Sequence, residues 1–308
     1  MQLLALDWGT SSLRAALMTA DGRILRQASS DQGLLAVQDR QFEQTLQGLC
    51  GAWLEEFPGT PILAAGMIGS RQGWYEAPYV RCPAGFDDMA AGVLWPEPGR
   101  LLGFVPGLLA TLADGSPDVM RGEEVQIFGA MDALGVDDGV YVLPGTHSKW
   151  AIVENRRVVR FYTFMTGELY ALLRRHSILS RLMPDDDALA QDWPAQRDSF
   201  LAGCGEAAGG MLLHRLFSIR ARGLFDQLPP SQQPAFLSGL LIGEEIREAL
   251  AAIAAATKTT PLYLVCNELL AERYTSALHH LGIEAVACPA HASFQGLLAI
   301  ARRRGLLG

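Results

Sequence analysis

Apolar positions in this chain come first as short, nearly continuous runs broken by small polar turns, and later as longer stretches with helical spacing. Residues 2–7 form a β run, residues 8–12 a small-residue turn, and residues 13–18 a second run. Asp21-Gly22 supplies a hairpin turn into a third run over 23–28, so a three-strand meander is predicted at the start. An amphipathic helix over 42–57 and a strand over 62–67 follow. The Gly- and Pro-rich stretch from 66 to 98 reads as loop and 101–106 as a strand. Val125, Ile127, Phe128, Met131 and Leu134 then predict a helix over 123–134.

The opening pattern returns at Val140. A strand over 140–143 leads into the polar turn Pro144-Gly145-Thr146-His147-Ser148, a strand over 150–153, the tight turn Glu154-Asn155 and a strand over 158–164. Gly9-Thr10 and Gly145-Thr146 each sit in the first turn of a meander, which reads as an internal duplication, with chance as the alternative. Helices are predicted over 169–182, 210–218, 236–255, 268–281 and 294–304, a strand over 262–266, and a solvated acidic loop over 184–194.

At 308 residues the chain is long enough for two domains, divided here as 1–135 and 136–308 with a hinge near 135–139, both α/β and with a cleft between them. The C-terminal helix is expected to pack back across the hinge. A composition of 49% hydrophobic and 19% charged residues supports buried cores and excludes the disordered class. The net charge of −8 works against nucleic acid or an anionic membrane as partner. Five cysteines without a CxxC pair give neither a disulfide framework nor a zinc ribbon, so a reducing cytoplasm is expected. An acid interrupts the first apolar run, so no signal peptide is read there, and no 18-residue uncharged apolar stretch follows.

The candidate chemistry begins where the first strand ends in an acid. Asp7 suits a Mg²⁺ ion held partly through water, while Gly9 admits a phosphate close to the backbone and Thr10, Ser11 and Ser12 offer donors. Arg14 adds charge-assisted bonds. The plainer alternative is an ordinary Asp-x-Gly hairpin with Arg14 solvated on a strand face. The second turn, Gly145, Thr146, His147, Ser148 and Lys149, offers the same donors without an acid. No GxxxxGK[ST] loop is present, so a nucleotide would be held by two hairpin turns.

Residues 7–14, DWGTSSLR, resemble the phosphate-1 motif of the sugar-kinase, hexokinase, Hsp70 and actin superfamily, and residues 142–152 resemble its phosphate-2 motif. More narrowly, AGMIGSRQGWYEAPYVRCPA (65–84), MRGEEVQIFGA (120–130), LPGTHSKW (143–150), FMTGELYALL (164–173) and FLSGLLIGEEI (236–246) are together similar to the 2-dehydro-3-deoxygalactonokinase family. The resemblance implies two actin-like, ribonuclease H-like domains. It also implies ATP- and Mg²⁺-dependent phosphorylation of the C6 hydroxyl of 2-dehydro-3-deoxy-D-galactonate, a step of galactonate catabolism.

Related kinases place a Gly-Asp pair before the helix that leads into phosphate-2, with the Asp as base. Gly122-Glu123-Glu124 stands there, so Glu123 is the implied base and Glu124 its rival, while the N-terminus of a helix favours acids in any case. The substrate carboxylate needs local positive charge, for which Arg71, Arg121 and Lys149 are candidates or else surface charges. Ser70, Trp74 and Tyr79 in the 66–84 loop read as a substrate wall or a packed surface loop. Thr166 and Glu168 read as a polar contact or a helix start. Val265-Cys266-Asn267-Glu268 replaces the superfamily's adenosine-holding Gly-Gly turn, leaving Asn267 and Ser238 as guesses for the base. A homodimer is admitted. The rivals are a kinase of another 2-keto-3-deoxy sugar acid, an actin- or Hsp70-like ATPase with a protein partner, and a sugar-sensing protein without catalysis.

Overall fold

The computed structural model describes residues 1–184, 192–254, 261–288 and 291–307. Strands β1 (Gln2–Trp8), β2 (Leu13–Thr19) and β3 (Ile24–Ser30) form the predicted antiparallel meander. Leu3 through Trp8 are all buried because β1 lies inside its sheet and is covered on both faces. Helix α1 (Phe42–Glu56) buries Phe42, Leu46 and Cys50 in the cluster that holds Leu4, Leu6 and Trp8. Strand β4 (Ile62–Ala65) then pairs parallel to β1.

The 66–98 stretch is more structured than its composition predicts. It holds a 3-10 turn (Met67–Gly69), strand β5 (Tyr79–Arg81) and helix α2 (Phe86–Ala91). A three-residue strand is too short to show a period of two, so glycine and proline dominate the reading there. Strand β6 (Leu102–Phe104) pairs parallel to β4 and completes the order β3-β2-β1-β4-β6. Strands β7 (Gly107–Thr111) and β8 (Pro117–Met120) join β5 in a small sheet, and α3 (Glu123–Leu134) starts directly after β8.

The second meander comprises β9 (Gly139–Leu143), β10 (Ser148–Glu154) and β11 (Arg157–Phe164), with Asn155 and Arg156 both left-handed in the tight turn (φ 50° and 60°). After it come α4 (Thr166–His176), a 3-10 turn (Ile178–Leu182), α5 (Trp193–Ala207), α6 (Leu212–Leu224) and α7 (Gln233–Ala254). Strand β12 (Leu262–Leu264), α8 (Glu268–His280), β13 (Ala285–Ala287) and α9 (Ala292–Arg303) end the chain. The sheet order β11-β10-β9-β12-β13 repeats that of the first sheet, with β9, β12 and β13 parallel. Most of the acidic stretch 184–194 lies outside the described residues, but Trp193 and Pro194 already belong to α5 rather than to a loop. The five cysteines are free, and no described helix is long and apolar enough to cross a membrane.

Two compact units result. One comprises Met1–Gly139, Ala151–Phe161 and Cys288–Gly308, and the other Val140–Trp150 and Tyr162–Ala287. Within the first, α3 and α9 cross with their backbones in contact: a Cβ on Gly129 would lie 1.8 Å from the Ala292 carbonyl oxygen, and one on Gly296 1.8 Å from that of Val125. Gly129→Ala must therefore push the helices apart and is expected to cost about 1–3 kcal/mol in denaturant unfolding. Gly48→Ala, on an open face of α1 with nothing within 4 Å, should instead stabilise by about 0.5–1 kcal/mol.

Candidate active site

In the first unit three backbone segments stack at the end of β1. Gly66, at φ 94°, lies so close that a Cβ there would be 2.7 Å from the Trp8 carbonyl oxygen. Gly122, at φ 108°, would set its Cβ 3.1 Å from Gly66 Cα. A side chain is excluded at Gly66 by space and strained at both positions by the left-handed backbone, with the fit at Gly122 tight. The stacking brings the strand end bearing Asp7, the loop bearing Ser70 and the N-terminus of α3 together.

Asp7 is nearly buried and forms an ion pair with Arg14, its cross-strand partner in the β1–β2 register. The Arg14 guanidinium also donates to Ser293 Oγ on α9 at 3.4 Å. The adjacent turn closes with the Gly9 N–H on the Ser12 carbonyl (2.9 Å). The 32–35 segment braces it: Leu34 and Leu35 N–H donate to the Gly9 and Thr10 carbonyls at 2.9 and 3.1 Å, and the Trp8 indole donates back to the Gln32 carbonyl at 3.0 Å. Thr10 and Ser11 stay exposed. A lone acid beside exposed hydroxyls fits a Mg²⁺ that keeps waters and is shared with phosphate oxygens.

At the start of α3, Glu123 accepts the Arg121 N–H at 3.0 Å and Glu124 accepts the Gly122 N–H at 2.6 Å. Their environments differ. Glu123 is half-buried, whereas Glu124 is fully buried with no partner for its Oε1 among the described residues. Burial first, and the charge of Glu123 second, push the Glu124 carboxyl up to about 8. Arg121 is 8% exposed; its Nη2 donates to the Ala77 carbonyl at 2.8 Å, and its guanidinium lies 4.3 Å over the Tyr79 ring. Its Nε and Nη1 have no partner among the described residues, and neither does the enclosed Ser70 hydroxyl. A buried cation with two unmet donors suits a carboxylate ligand.

Trp74, expected at the substrate wall, and Arg71, expected as positive charge for the substrate carboxylate or as a surface charge, are placed as follows. Trp74 packs its ring against Trp8, Phe42 and Phe104 at 6.4, 6.1 and 5.8 Å, joining the core because the loop folds inward there. Arg71 is solvated, its side chain 88% exposed and 3.4 Å from Glu76.

In the second unit Thr146 and His147 are exposed at the turn, but Ser148 and Lys149 already belong to β10 and are buried. His147 bonds Glu168, and Lys149 Nζ donates to Thr163 Oγ1 at 2.8 Å. Ser148 Oγ and the Trp150 indole donate to Glu245 Oε1 at 2.6 and 2.8 Å, and the Tyr274 hydroxyl to Oε2 at 2.8 Å. Thr166 bonds the same carboxylate, whose pKa burial raises. Glu245 lies in the FLSGLLIGEEI segment, but nothing local marks it out from Glu244. Asn267 caps α8, its Oδ1 accepting the Leu270 N–H at 3.0 Å. Ser238, Tyr170, Leu241 and Arg273 line a small cavity of about 70 Å³ beside Gly145 and Gly167.

The architecture defines a class. The activator of 2-hydroxyisocaproyl-CoA dehydratase from Clostridium difficile, solved with bound ADPNP, shares the fold at TM-score 0.52 and 9% identity over 99% of this chain and 97% of that one. The chain is thus an α/β protein of the actin-like ATPase fold, with two five-stranded sheets flanked by helices.

The model of the 2-keto-3-deoxy-galactonokinase family matches residues 7–300. The probable 2-dehydro-3-deoxygalactonokinase of Rhizobium meliloti is 36% identical over 97% of this chain and 96% of its own length. The 2-dehydro-3-deoxygalactonokinase of Escherichia coli is 35% identical over 97% of each. A crystal structure of a relative from Sinorhizobium meliloti superimposes with TM-score 0.85 at 36% identity, covering 97% of this chain and 98% of that one. The chain belongs to the 2-keto-3-deoxy-galactonokinase family.

The neutral state of Glu124 sets a dependence on pH. Its folded pKa is raised from 4.5 to about 8, so its contribution is fully present below about 4.5 and is lost as pH rises to about 8. The stability of Glu124→Gln relative to the parent should therefore rise across that window, by at least about 1 kcal/mol in denaturant titrations.

Proposed function

We propose that the protein is an ATP-dependent kinase that phosphorylates the C6 hydroxyl of 2-dehydro-3-deoxy-D-galactonate, giving 2-dehydro-3-deoxy-6-phosphogalactonate. The observation that carries this reading is the family match across residues 7–300, which includes the Asp7 turn, the α3 acids and the buried Arg121. In the transfer, the acceptor oxygen bonds the γ-phosphorus, the bond to the β–γ bridging oxygen breaks, and the hydroxyl proton passes to a base.

Glu123 takes that proton, since its half-buried carboxylate is open to solvent while Glu124 is sealed and neutral at pH 7. Asp7 orients Mg²⁺, which neutralises phosphate charge when bound. Arg14 is poised beside it for phosphate oxygens. Gly9, Thr10, Ser11 and Ser12 of the first unit offer donors to nucleotide phosphates. Taken by itself, the Gly145, Thr146 and His147 turn of the second unit offers donors of the same kind. Arg121 and Ser70 bind the substrate carboxylate with the donors they leave unmet. Work on cytoplasmic ATP makes a cytoplasmic location part of the same proposal.

The test is ADP release against a panel of 2-keto-3-deoxy sugar acids with a no-acceptor control. Stimulation by the galactonate derivative supports the reading; equal release in every well contradicts it. Glu123→Gln should lower kcat by roughly 10²- to 10⁴-fold with folding intact. Arg121→Lys, which loses the bidentate fork, should raise KM for the sugar acid roughly tenfold or more and leave KM for ATP near the parent value.

A further inference from the structure

We propose that Glu245 is a positioning residue for the Gly145–Ser148 turn, holding it in the shape that receives nucleotide phosphates without touching substrate. The inference rests on the kinase reading and adds a residue to it.

Four donors from three elements converge on this one carboxylate: Ser148 and Trp150 of β10, Thr166 of α4 and Tyr274 of α8. Ser148 opens β10 directly after the turn. Thr166 opens α4, whose next two residues abut the turn's other end. A Cβ on Gly167 would lie 2.4 Å from the Gly145 carbonyl oxygen, and the Glu168 N–H donates to the Thr146 carbonyl at 3.0 Å. One side chain thus ties both ends of the turn to α7.

The chemistry requires an acceptor. Burial raises the pKa of Glu245 and the four donors work against that rise, because an ionised carboxylate has only acceptor sites and meets all of them without conflict, whereas an amide would turn two of its own donors toward them. Glu245 is 3% exposed, and a carboxylate so enclosed costs free energy unless its bonds are complete. A fully satisfied buried network is stiff. That stiffness falls on the two exposed residues, Thr146 and His147, that the turn offers to a ligand.

The experiment compares the full-length parent, Glu245→Gln and Ser148→Ala in steady-state kinetics and in hydrogen exchange without nucleotide. In Glu245→Gln, KM for ATP should rise roughly tenfold while KM for the sugar acid stays within about twofold. Exchange at 145–148 should speed up, with β9 and β12 unchanged. Ser148→Ala should give the same pattern more weakly, and it decides the matter alone if Glu245→Gln does not fold.

Unchanged KM for ATP with unchanged exchange overturns the proposal. Exchange that rises throughout the second unit also overturns it, because that marks a plain stabilising role. A parent without ATP-dependent turnover contradicts the kinase reading instead, and the exchange pattern still decides what Glu245 does.

Discussion

The backbone of Gly122 packs tightly on that of Gly66, and Gly66 on the carbonyl of Trp8, where no side chain fits. Everything chemical in the first unit depends on that contact. It fixes the N-terminus of α3 beside the end of β1, so that two acids and an arginine from distant parts of the sequence share one region with Asp7. The α3–α9 crossing holds the same helix at Val125 and Gly129 by the same device, glycine facing backbone. A close-packed interior transmits such constraints because it has few voids to absorb a shift.

On this frame the protein carries ionisable groups in places that are costly for them. Arg121 is buried with unmet donors, Glu124 is buried and held neutral, and Glu245 is buried under four donors. Each solves the cost differently. Glu124 gives up its charge, Glu245 offsets burial with hydrogen bonds to both its oxygens, and Arg121 keeps two donors with no partner among the described residues. Asp7 is neutralised by Arg14, its cross-strand partner.

Much of the fold was legible in the sequence. The two meanders were readable because runs of β-formers alternate with turn residues, and the adjacency of Asp7 and Arg14 follows from the hairpin register. Strands β5, β7, β8 and β13 were missed, since runs of three to five residues carry little measurable period. Helix α5 was missed for another reason: it crosses α7 with Gly203 and Gly239 against backbone and lacks a clean polar face. At the site, the turns and the α3 acids were visible as local strings. The 32–35 brace, the Gly66–Gly122 contact and Glu245 were not, because each acts through partners far away in sequence. Trp74 looked like a ligand wall for the opposite reason, since a sequence does not tell an inward aromatic from an outward one.

Phosphorus NMR of a reaction with ATP and 2-dehydro-3-deoxy-D-galactonate tests the central claim most directly. The account predicts a new phosphomonoester resonance, coupled to the C6 protons, that grows as ADP appears. Inorganic phosphate as the sole new signal, with the sugar acid unchanged, would contradict it.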